Sequence, residues 1–393
     1  MSYSISKWLD GYQAPANLMI DDLSDVYIKI YKTSYKNDWG YMCDKEGSSY
    51  HFLKKNLLNK FSNIKITFFV PYKRHNVVNS TIDNYKKYAI GERNEFSIFL
   101  KMLVEEGHEI AHHGSNHGEY IDESKIDTEN NFMHEWELFD SVIEGVSVTT
   151  LGKDIFKKEV ETEITGGKFC GYLMRENSLE IIDKSGLEYW CIDAKLDPDD
   201  SDIYLFGDNN VIAFPTNFNG NGFVRLKYKT GRLKRDVMKL FTRFMQPLYN
   251  VLQYKKLDKL YEKGSIISIQ EHISPATSSG AIQASNIVSD MESLSKIFSY
   301  LSKKSIWYAT CQEIARYIYV RMNCIISSSD DKINIIFNDY KKLGSNYLTI
   351  YTHKEDTLED SDGNKFTSVS KDNKYFFTLR VDCGENNYYL LSK

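Results

Sequence analysis

The chain has 393 residues, of which 42% are hydrophobic and 26% are charged, and its formal net charge is −5. This composition excludes a disordered or fibrous chain, and the mild acidity argues against a nucleic-acid binder, which usually carries a positive excess. The length predicts two or three domains at about 100–200 residues each.

Cysteine usage and the first residues bear on the compartment. Six cysteines are scattered along the chain without a CxxC pair, a spacing typical of free thiols in a reducing environment. The first ten residues contain no apolar run, and no stretch approaches the roughly 18–20 apolar residues of a membrane span. We therefore expect a cytoplasmic protein without a signal peptide.

Short apolar runs alternate with amphipathic ones through the first 320 residues. The pattern predicts strands at residues 17–20, 64–70, 108–111, 187–192, 265–269 and 306–309. It predicts helices at residues 50–61, 94–106, 132–139 and 179–184. This alternation is typical of a parallel sheet, and its length suggests a barrel-like α/β domain over residues 1–322.

The last 70 residues have a different pattern. Alternating apolar residues predict strands at 333–337, 347–351 and 375–381, separated by turn-prone segments such as Asp362-Gly363-Asn364. We therefore predict a small antiparallel β module over residues 323–393, which could dock on the barrel, bind glycan or mediate oligomerisation.

Histidines and paired aspartates provide a candidate metal site. Five of the nine histidines lie between residues 108 and 134, and His113 and His117 are close enough in sequence to direct both imidazoles to one point. Two imidazoles and one carboxylate form an open site for Zn²⁺ or a similar ion. Asp21 and Asp22 follow the first strand, at the end where barrel active sites assemble, so one can bind metal while the other acts as a base. Each pattern alone is common, but together they favour a metal site.

The motifs, taken in order, resemble those of the polysaccharide deacetylase family, the NodB-homology carbohydrate esterases of family 4. The matching segments are LMIDD (18–22), TFFV (67–70), GHEIAHHGSNH (107–117), SIISIQEH (265–272) and YATCQEIA (308–315). The resemblance covers roughly residues 14–320. It implies an α/β fold built as a deformed parallel (β/α) barrel.

The resemblance also implies a role for each matching residue. Asp21 corresponds to the catalytic base and His272 to the general acid, while Asp22, His113 and His117 correspond to the metal ligands. The metal is expected to be Zn, with Co, Ni or Mn as alternatives. The implied activity is hydrolytic removal of an N-acetyl or related acyl group from an amino sugar, during synthesis of cell-surface polysaccharide.

The third motif departs from the family pattern. Members usually have an Arg, followed shortly by Pro, that holds the catalytic Asp, whereas residues 171–175 read GYLMR and place Arg175 about two positions late. Either Arg175 reaches the Asp through a shifted loop, or the Asp is oriented in another way. This departure favours an alternative function, a catalytically degenerate deacetylase-fold protein that binds glycan or acts as a scaffold. The five intact site residues oppose that alternative.

A basic amphipathic segment has two interpretations. Residues 225–243 contain eight Lys or Arg and one acid. The run then continues amphipathically to residue 252, and one side of it carries Val237, Leu240, Phe241, Phe244, Leu248 and Leu252. We favour a barrel helix whose apolar face is in the core. The alternative is a peripheral contact of residues 225–252 with the inner face of an anionic membrane. The expected substrate is an acetylated amino sugar carried on a nucleotide, a lipid or an oligosaccharide, and the sequence predicts no oligomeric state.

Overall fold

The structure of the protein is a computed structural model. It describes residues 3–23, 48–73, 90–92, 94–116, 118–120, 132–193, 204–223, 232–272, 286–329 and 331–391.

Strands and helices alternate through most of the described chain. The strands of the first part are β1 (Ser4–Ile5), β2 (Ala14–Asp21), β3 (Ile66–Val70), β4 (Glu109–His112), β5 (Gly118–Tyr120), β6 (Phe132–His134), β7 (Gly166–Lys168), β8 (Tyr189–Asp193), β9 (Leu205–Phe206), β10 (Val211–Thr216), β11 (Phe218–Asn219), β12 (Ile267–His272) and β13 (Ile306–Tyr308). The helices are α1 (Ser49–Leu53, extended by a π-helical turn Lys54–Leu58), α2 (Asn94–Glu105), α3 (Glu135–Leu138), α4 (Val142–Glu159), α5 (Ser178–Lys184), α6 (Arg232–Glu262), α7 (Asn286–Leu301) and α8 (Cys311–Asn323).

The central sheet has ten strands. Nine form the ladder β11-β12-β2-β3-β4-β7-β8-β10-β9, and β13 pairs with the start of β2. Every pair in this sheet is parallel except that of β9 with β10. The sheet is strongly curled. The Thr216 hydroxyl on β10 lies only 3.9 Å from the Met19 sulfur on β2, although four strands separate β10 from β2 in the ladder. The predicted α/β fold with a deformed parallel barrel is confirmed, and the described ladder is open between β9 and β11.

Continuous apolar runs produce the central strands. All residues of β2 and β3 are buried, as expected of parallel strands that are covered on both faces.

The predicted helix at 132–139 is wrong for its first residues, which form β6. His134 ends that strand and caps α3, where its backbone N–H bonds to Glu137. The pattern also missed α4, whose buried face is mostly small or polar.

The last part of the chain forms two antiparallel sheets. Their strands are β14 (Cys324–Ser328), β15 (Lys332–Phe337), β16 (Asn346–Thr352), β17 (Thr357–Asp360), β18 (Lys365–Thr367), β19 (Val369–Lys371), β20 (Lys374–Val381) and β21 (Gly384–Leu390). One sheet has the order β14-β15-β21-β17-β18, and the other has the order β1-β16-β20-β19. The predicted β module is therefore present, but β1, from the opposite end of the chain, completes one of its sheets.

The β module docks on the barrel at the amino ends of the parallel strands. Lys371 donates to the Gly11 carbonyl, and Lys341 donates to the carbonyl of Asn210, just before β10. Trp8 donates to the carbonyl of Gly264, just before β12. Of the open alternatives for this module, docking on the barrel is thus observed. Within the described residues, no helix combines the length and the apolar character needed to cross a bilayer.

Candidate metal centre

Four parallel strands carry polar residues at their carboxyl ends. Asp21 is the last residue of β2 and pairs in register with His272, the last residue of β12. His113 directly follows β4, and Lys168 ends β7. This is the edge at which α/β barrels assemble their active sites. Asp21, Asp22, His113 and the backbone of His272 therefore lie at one edge of the sheet.

His113 and Asp22 face each other across a short gap. The Nδ1 of His113 lies 3.1 Å from the Lys168 carbonyl oxygen, which only accepts, so Nδ1 carries a proton and donates. The Nε2 on the other side of the ring lies 3.3 Å from Asp22 Oδ1. In a neutral imidazole that Nε2 is an acceptor, so two acceptors face each other. The pair therefore needs a cation, either a proton on Nε2 or a metal ion.

This geometry fits a metal ligand pair. Zn²⁺ bound to imidazole and carboxylate at about 2.1 Å, with a tetrahedral angle, holds the two donor atoms roughly 3.4 Å apart. The 3.3 Å separation agrees with that value. A metal-ligating histidine also commonly donates its other N–H to a backbone carbonyl, as His113 does. The described residues contain no group of three possible ligands, and the third predicted ligand, His117, lies outside them.

Asp21 forms a buried ion pair with Lys168. The Lys168 Nζ lies 2.7 Å from one carboxylate oxygen and 3.0 Å from the other, and the lysine side chain is fully buried. Burial alone lowers the pKa of Lys168, but the negative charge of Asp21 more than offsets burial, and Tyr172 adds to its effect. The net pKa is above the ordinary lysine value, so Lys168 is a permanent cation beside Asp21.

Two further residues fix the orientation of the Asp21 carboxylate. Gln270 Nε2 donates to Asp21 Oδ2 at 3.3 Å, and the Tyr172 hydroxyl donates to Gln270 Oε1 at 3.0 Å. The Tyr172 ring also lies 4.8 Å from the Lys168 Nζ, within cation–π distance. Asp21 is thus held from β7 and from β12 at once.

Arg175 does not hold Asp21. Its Nη1 lies 3.1 Å from the Phe139 carbonyl oxygen and 3.0 Å from Asp140 Oδ1, in a partly exposed position. The shifted-loop interpretation is therefore wrong, and the other alternative holds. Asp21 is oriented by Lys168, whose side chain leaves β7 seven residues earlier in the chain.

Glu135 organises the loop between the two predicted histidine ligands. Its buried carboxylate accepts the backbone N–H of Ser115 at 2.7 and 2.8 Å and that of Asn116 at 3.1 Å. Gly114 is required for this approach, because it has a φ of +76° and an added Cβ would lie 2.3 Å from Glu135 Oε2. The loop that leads from His113 towards position 117 is therefore fixed by one carboxylate.

His112 supports the same loop from the core. It is fully buried, and its Nδ1 accepts the Gly114 N–H at 3.0 Å. Burial lowers its pKa to about 3, with the nearby His113 and Lys153 contributing, so the ring is neutral at physiological pH. His112 therefore supports the loop after β4 and is not exposed to solvent.

Comparison with known proteins finds similarity to solved structures. No protein-family model and no curated protein sequence matches this chain. A probable polysaccharide deacetylase from Pseudomonas aeruginosa PAO1 is similar at 14% identity and a TM-score of 0.44, over 78% of this chain and 90% of that one. A polysaccharide deacetylase structure from Mycobacterium smegmatis is similar at 14% identity and a TM-score of 0.43, over 80% of this chain and 93% of that one. An allantoinase is similar at 14% identity and a TM-score of 0.42, over 80% of this chain and 92% of that one.

Sequence reasoning missed three residues of this centre. Lys168, Gln270 and Glu135 all contact predicted site residues or their loop. Lys168 had a recognisable signal, since it is a cation at the end of a short strand, directly after Gly166 and Gly167. Glu135 had none, because its partners are backbone amides.

Proposed function

We propose that the protein is a metal-dependent hydrolase that removes an N-acetyl or related acyl group from an amino sugar. The observation that carries the proposal is the 3.3 Å approach of His113 Nε2 to Asp22 Oδ1, next to the held carboxylate of Asp21. Asp22, His113 and His117 would hold one divalent ion, with Zn²⁺ preferred over Co, Ni or Mn. When bound, the ion supplies Lewis acidity and lowers the pKa of water towards about 7.

The protein's own residues perform the proton transfers in this proposal. Asp21 accepts a proton from the attacking water, and its ion pair with Lys168 holds the carboxylate in one orientation. His272, opposite Asp21 in register, donates a proton to the departing amine, which is a poor leaving group without it. Histidine suits this role because its ordinary pKa lies near neutral pH.

The catalytically degenerate alternative depended on the altered third motif. Lys168 supplies the positive charge beside Asp21 that this motif otherwise provides, so the departure in residues 171–175 no longer argues against catalysis. We propose that the substrate sugar is carried on a nucleotide, a lipid or an oligosaccharide, and that the reaction serves cell-surface polysaccharide synthesis in the cytoplasm. The cysteine usage supports this placement, since the six cysteines are scattered without a CxxC pair, as is typical of free thiols in a reducing environment.

Metal content of the purified protein tests the ligand set. We expect about one equivalent of zinc or a similar ion per chain. It should be lost in His113→Ala/His117→Ala and retained in His353→Ala, which changes an exposed histidine of the β module. A wild-type protein that neither contains metal nor takes it up would contradict the proposal.

Acetate release from a panel of acetylated amino sugars tests catalysis. We expect Asp21→Asn to retain metal and to lose turnover by a factor on the order of 10² or more, since the base is removed and the ligands remain. Unchanged turnover in Asp21→Asn would exclude the assigned role. Retained metal with no release from any substrate would favour the degenerate alternative.

A further inference from the structure

The helix α6 packs on the barrel through its last turns. Leu257 and Leu260 are buried, at 0% and 9% exposure. Leu248 and Leu252 are 53% and 54% exposed, so the expectation that they face the core is wrong. The earlier apolar residues of that series have side chains outside the described part of the chain. The observed packing of α6 is therefore made close to Tyr254, where the helix lies beside α7.

An open groove lies between the last turns of α6, the helix α7 and the residues that follow α1. Its volume is about 420 Å³, within the range of roughly 300–1,000 Å³ that is typical of small-molecule sites. It is lined by three aromatic rings, three lysines, two serines and one glutamate, all in the described part of the chain. Phe61 precedes β3 and Lys303 precedes β13, so the groove lies towards the amino ends of the strands. It is therefore separate from the metal centre at the carboxyl ends.

The aromatic rings of the groove are fixed by contacts with neighbouring side chains. The ring centroids of Tyr254 and Tyr300 are 4.5 Å apart, and the two rings are inclined by 44°. Tyr254 also packs on Phe223, with centroids 4.7 Å apart, and the Tyr300 hydroxyl donates to Asp258 at 2.8 Å. Both rings remain partly exposed. They form a preorganised apolar surface that a ligand can contact without reordering the side chains.

The groove carries an excess of positive charge. Lys60 and Lys303 are exposed, and neither forms an ion pair within the described residues. The third lysine, Lys296, is paired with Glu292 at 2.7 Å. Three lysines against one glutamate leave a charge of +2, in a chain whose net charge is −5. The groove is thus complementary to an anionic ligand.

We propose that this groove binds an acidic saccharide, a pyranose that carries a carboxylate or a phosphate group. Its C–H groups would pack on Tyr254 and Tyr300, while its anionic group lies beside the two unpaired lysines. The hydroxyls of Ser295 and Ser299 each offer a donor and an acceptor to the sugar hydroxyls. A flat base would stack on only one of two rings inclined by 44°, whereas a puckered pyranose can contact both. The binding is independent of the proposed activity, because the groove contains no residue of the metal centre.

Saturation-transfer NMR on the full chain tests this site, because it detects sugar protons that contact the protein. We expect glucuronate and glucose 1-phosphate to bind with dissociation constants on the order of 1 mM. The tighter of the two identifies the anionic group. Neutral glucose should bind about fivefold more weakly or less, since it lacks the charge that the lysines meet. Raising the salt from about 0.1 to about 0.5 M should weaken the binding of glucuronate several-fold.

Matched variants locate the binding in the groove. We expect Lys60→Gln/Lys303→Gln to bind glucuronate no more tightly than glucose, with an unchanged circular dichroism spectrum, because both lysines are exposed. Ser299→Trp should abolish the binding of both sugars, because the added ring fills the groove from an exposed position of α7. Lys354→Gln/Lys365→Gln, which removes two exposed charges from the β module, should bind like the wild type.

Three results would overturn the proposal. The first is the absence of saturable glucuronate binding up to about 20 mM. The second is a Lys60→Gln/Lys303→Gln variant that binds glucuronate like the wild type. The third is tighter binding of adenosine monophosphate than of either acidic sugar, since the groove would then be a nucleotide site. None of these results bears on metal content or acetate release, so the proposed hydrolase activity is tested separately.

Discussion

Lys168 and Asp21 form an ion pair in which the lysine is fully buried and the aspartate side chain is 8% exposed. Removing one partner from such a pair leaves an uncompensated charge in a poorly solvated position. The lysine therefore acts on Asp21 in two ways, since it compensates its charge and orients its oxygens.

We expect Lys168→Met to lower both stability and turnover. The free energy of unfolding should fall by about 3–5 kcal/mol, measured by denaturant titration, because Asp21 is left unpaired. Lys168→Arg should retain the charge and most of the turnover, and the pH profile of the remaining activity should shift only in the Met variant. Asp21→Asn/Lys168→Met should recover much of the stability, and failure to do so would show that Lys168 acts through packing alone.

Glu135 provides a second test at this scale. Because its carboxylate fixes the amides of Ser115 and Asn116, Glu135→Gln should loosen the loop that carries the histidine ligands. We expect metal affinity to fall about 10–100-fold, measured by competition with a chelator. Glu137→Gln, which alters only the cap of α3, should bind metal like the wild type. Equal metal affinities of the wild type, Glu135→Gln and Glu137→Gln would show that Glu135 does not support the metal site.

Among the elements, α8 connects the barrel to the β module. Its first turn is capped by Thr310 and Glu313, and the Gln312 N–H donates to Glu109 of β4 at 3.0 Å. Glu109 also accepts from Tyr189 at 2.6 Å and is buried. Burial raises the pKa of Glu109 to about 7, although these hydrogen bonds lower it in part.

The raised pKa of Glu109 predicts a pH-dependent stability. The pKa of Glu109 is near 7 in the folded state and 4.5 in the unfolded state, so the folded state favours the protonated carboxyl. The resulting contribution to the free energy of unfolding is complete below pH 4.5 and is lost as the pH rises through 7. The loss for this residue is about 3 kcal/mol by pH 8. We expect Glu109→Gln to show a smaller fall in unfolding free energy between pH 5 and pH 8, measured by denaturant titration. The exposed Glu163→Gln should keep the wild-type slope, and a Glu109→Gln slope equal to it would contradict the assignment.

For the whole molecule, the β module and the candidate site lie at opposite ends of the parallel sheet. The module contacts the chain before β2 and before β10, whereas Asp21 and His113 lie at the carboxyl ends of β2 and β4. One buried apolar cluster includes Met19 of the barrel, α8 and the inner residues of both sheets of the module. The module therefore shares a core with the barrel and does not line the site.

This shared core predicts cooperative unfolding. Trp8 is 2% exposed, contacts Tyr317 of α8 with ring centroids 6.5 Å apart, and donates to the Gly264 carbonyl at 2.8 Å. We expect Trp8→Ala to lower the free energy of unfolding by about 3–5 kcal/mol in a single transition, measured by calorimetry and near-UV circular dichroism. At temperatures below this transition, Trp8→Ala should bind metal like the wild type. Two separate transitions in the wild type would show that barrel and module unfold independently.

Much of the fold was predictable because it depends on local patterns. Buried parallel strands are continuous apolar runs, so β2, β3 and β12 were expected close to their observed positions. The helix α8 was not predicted, although the Thr310 and Glu313 spacing is that of a capping box. The helix α4 was not predicted because its buried face includes Gly145 and Thr149 and produces only a weak apolar period.

The sequence by itself indicated where the strands of the site end, since Asp21 and Asp22 follow the apolar run 17–20 and His113 lies just after the short strand predicted at 108–111. It also determined the charge of the segment 225–256. Only the tertiary structure decided that Lys168 holds Asp21, that β1 completes the β module, and that Leu248 faces solvent. The reason is physical. Strand position depends on residues a few places apart, whereas an ion pair, an edge pairing or an exposed face depends on groups that only the fold brings together.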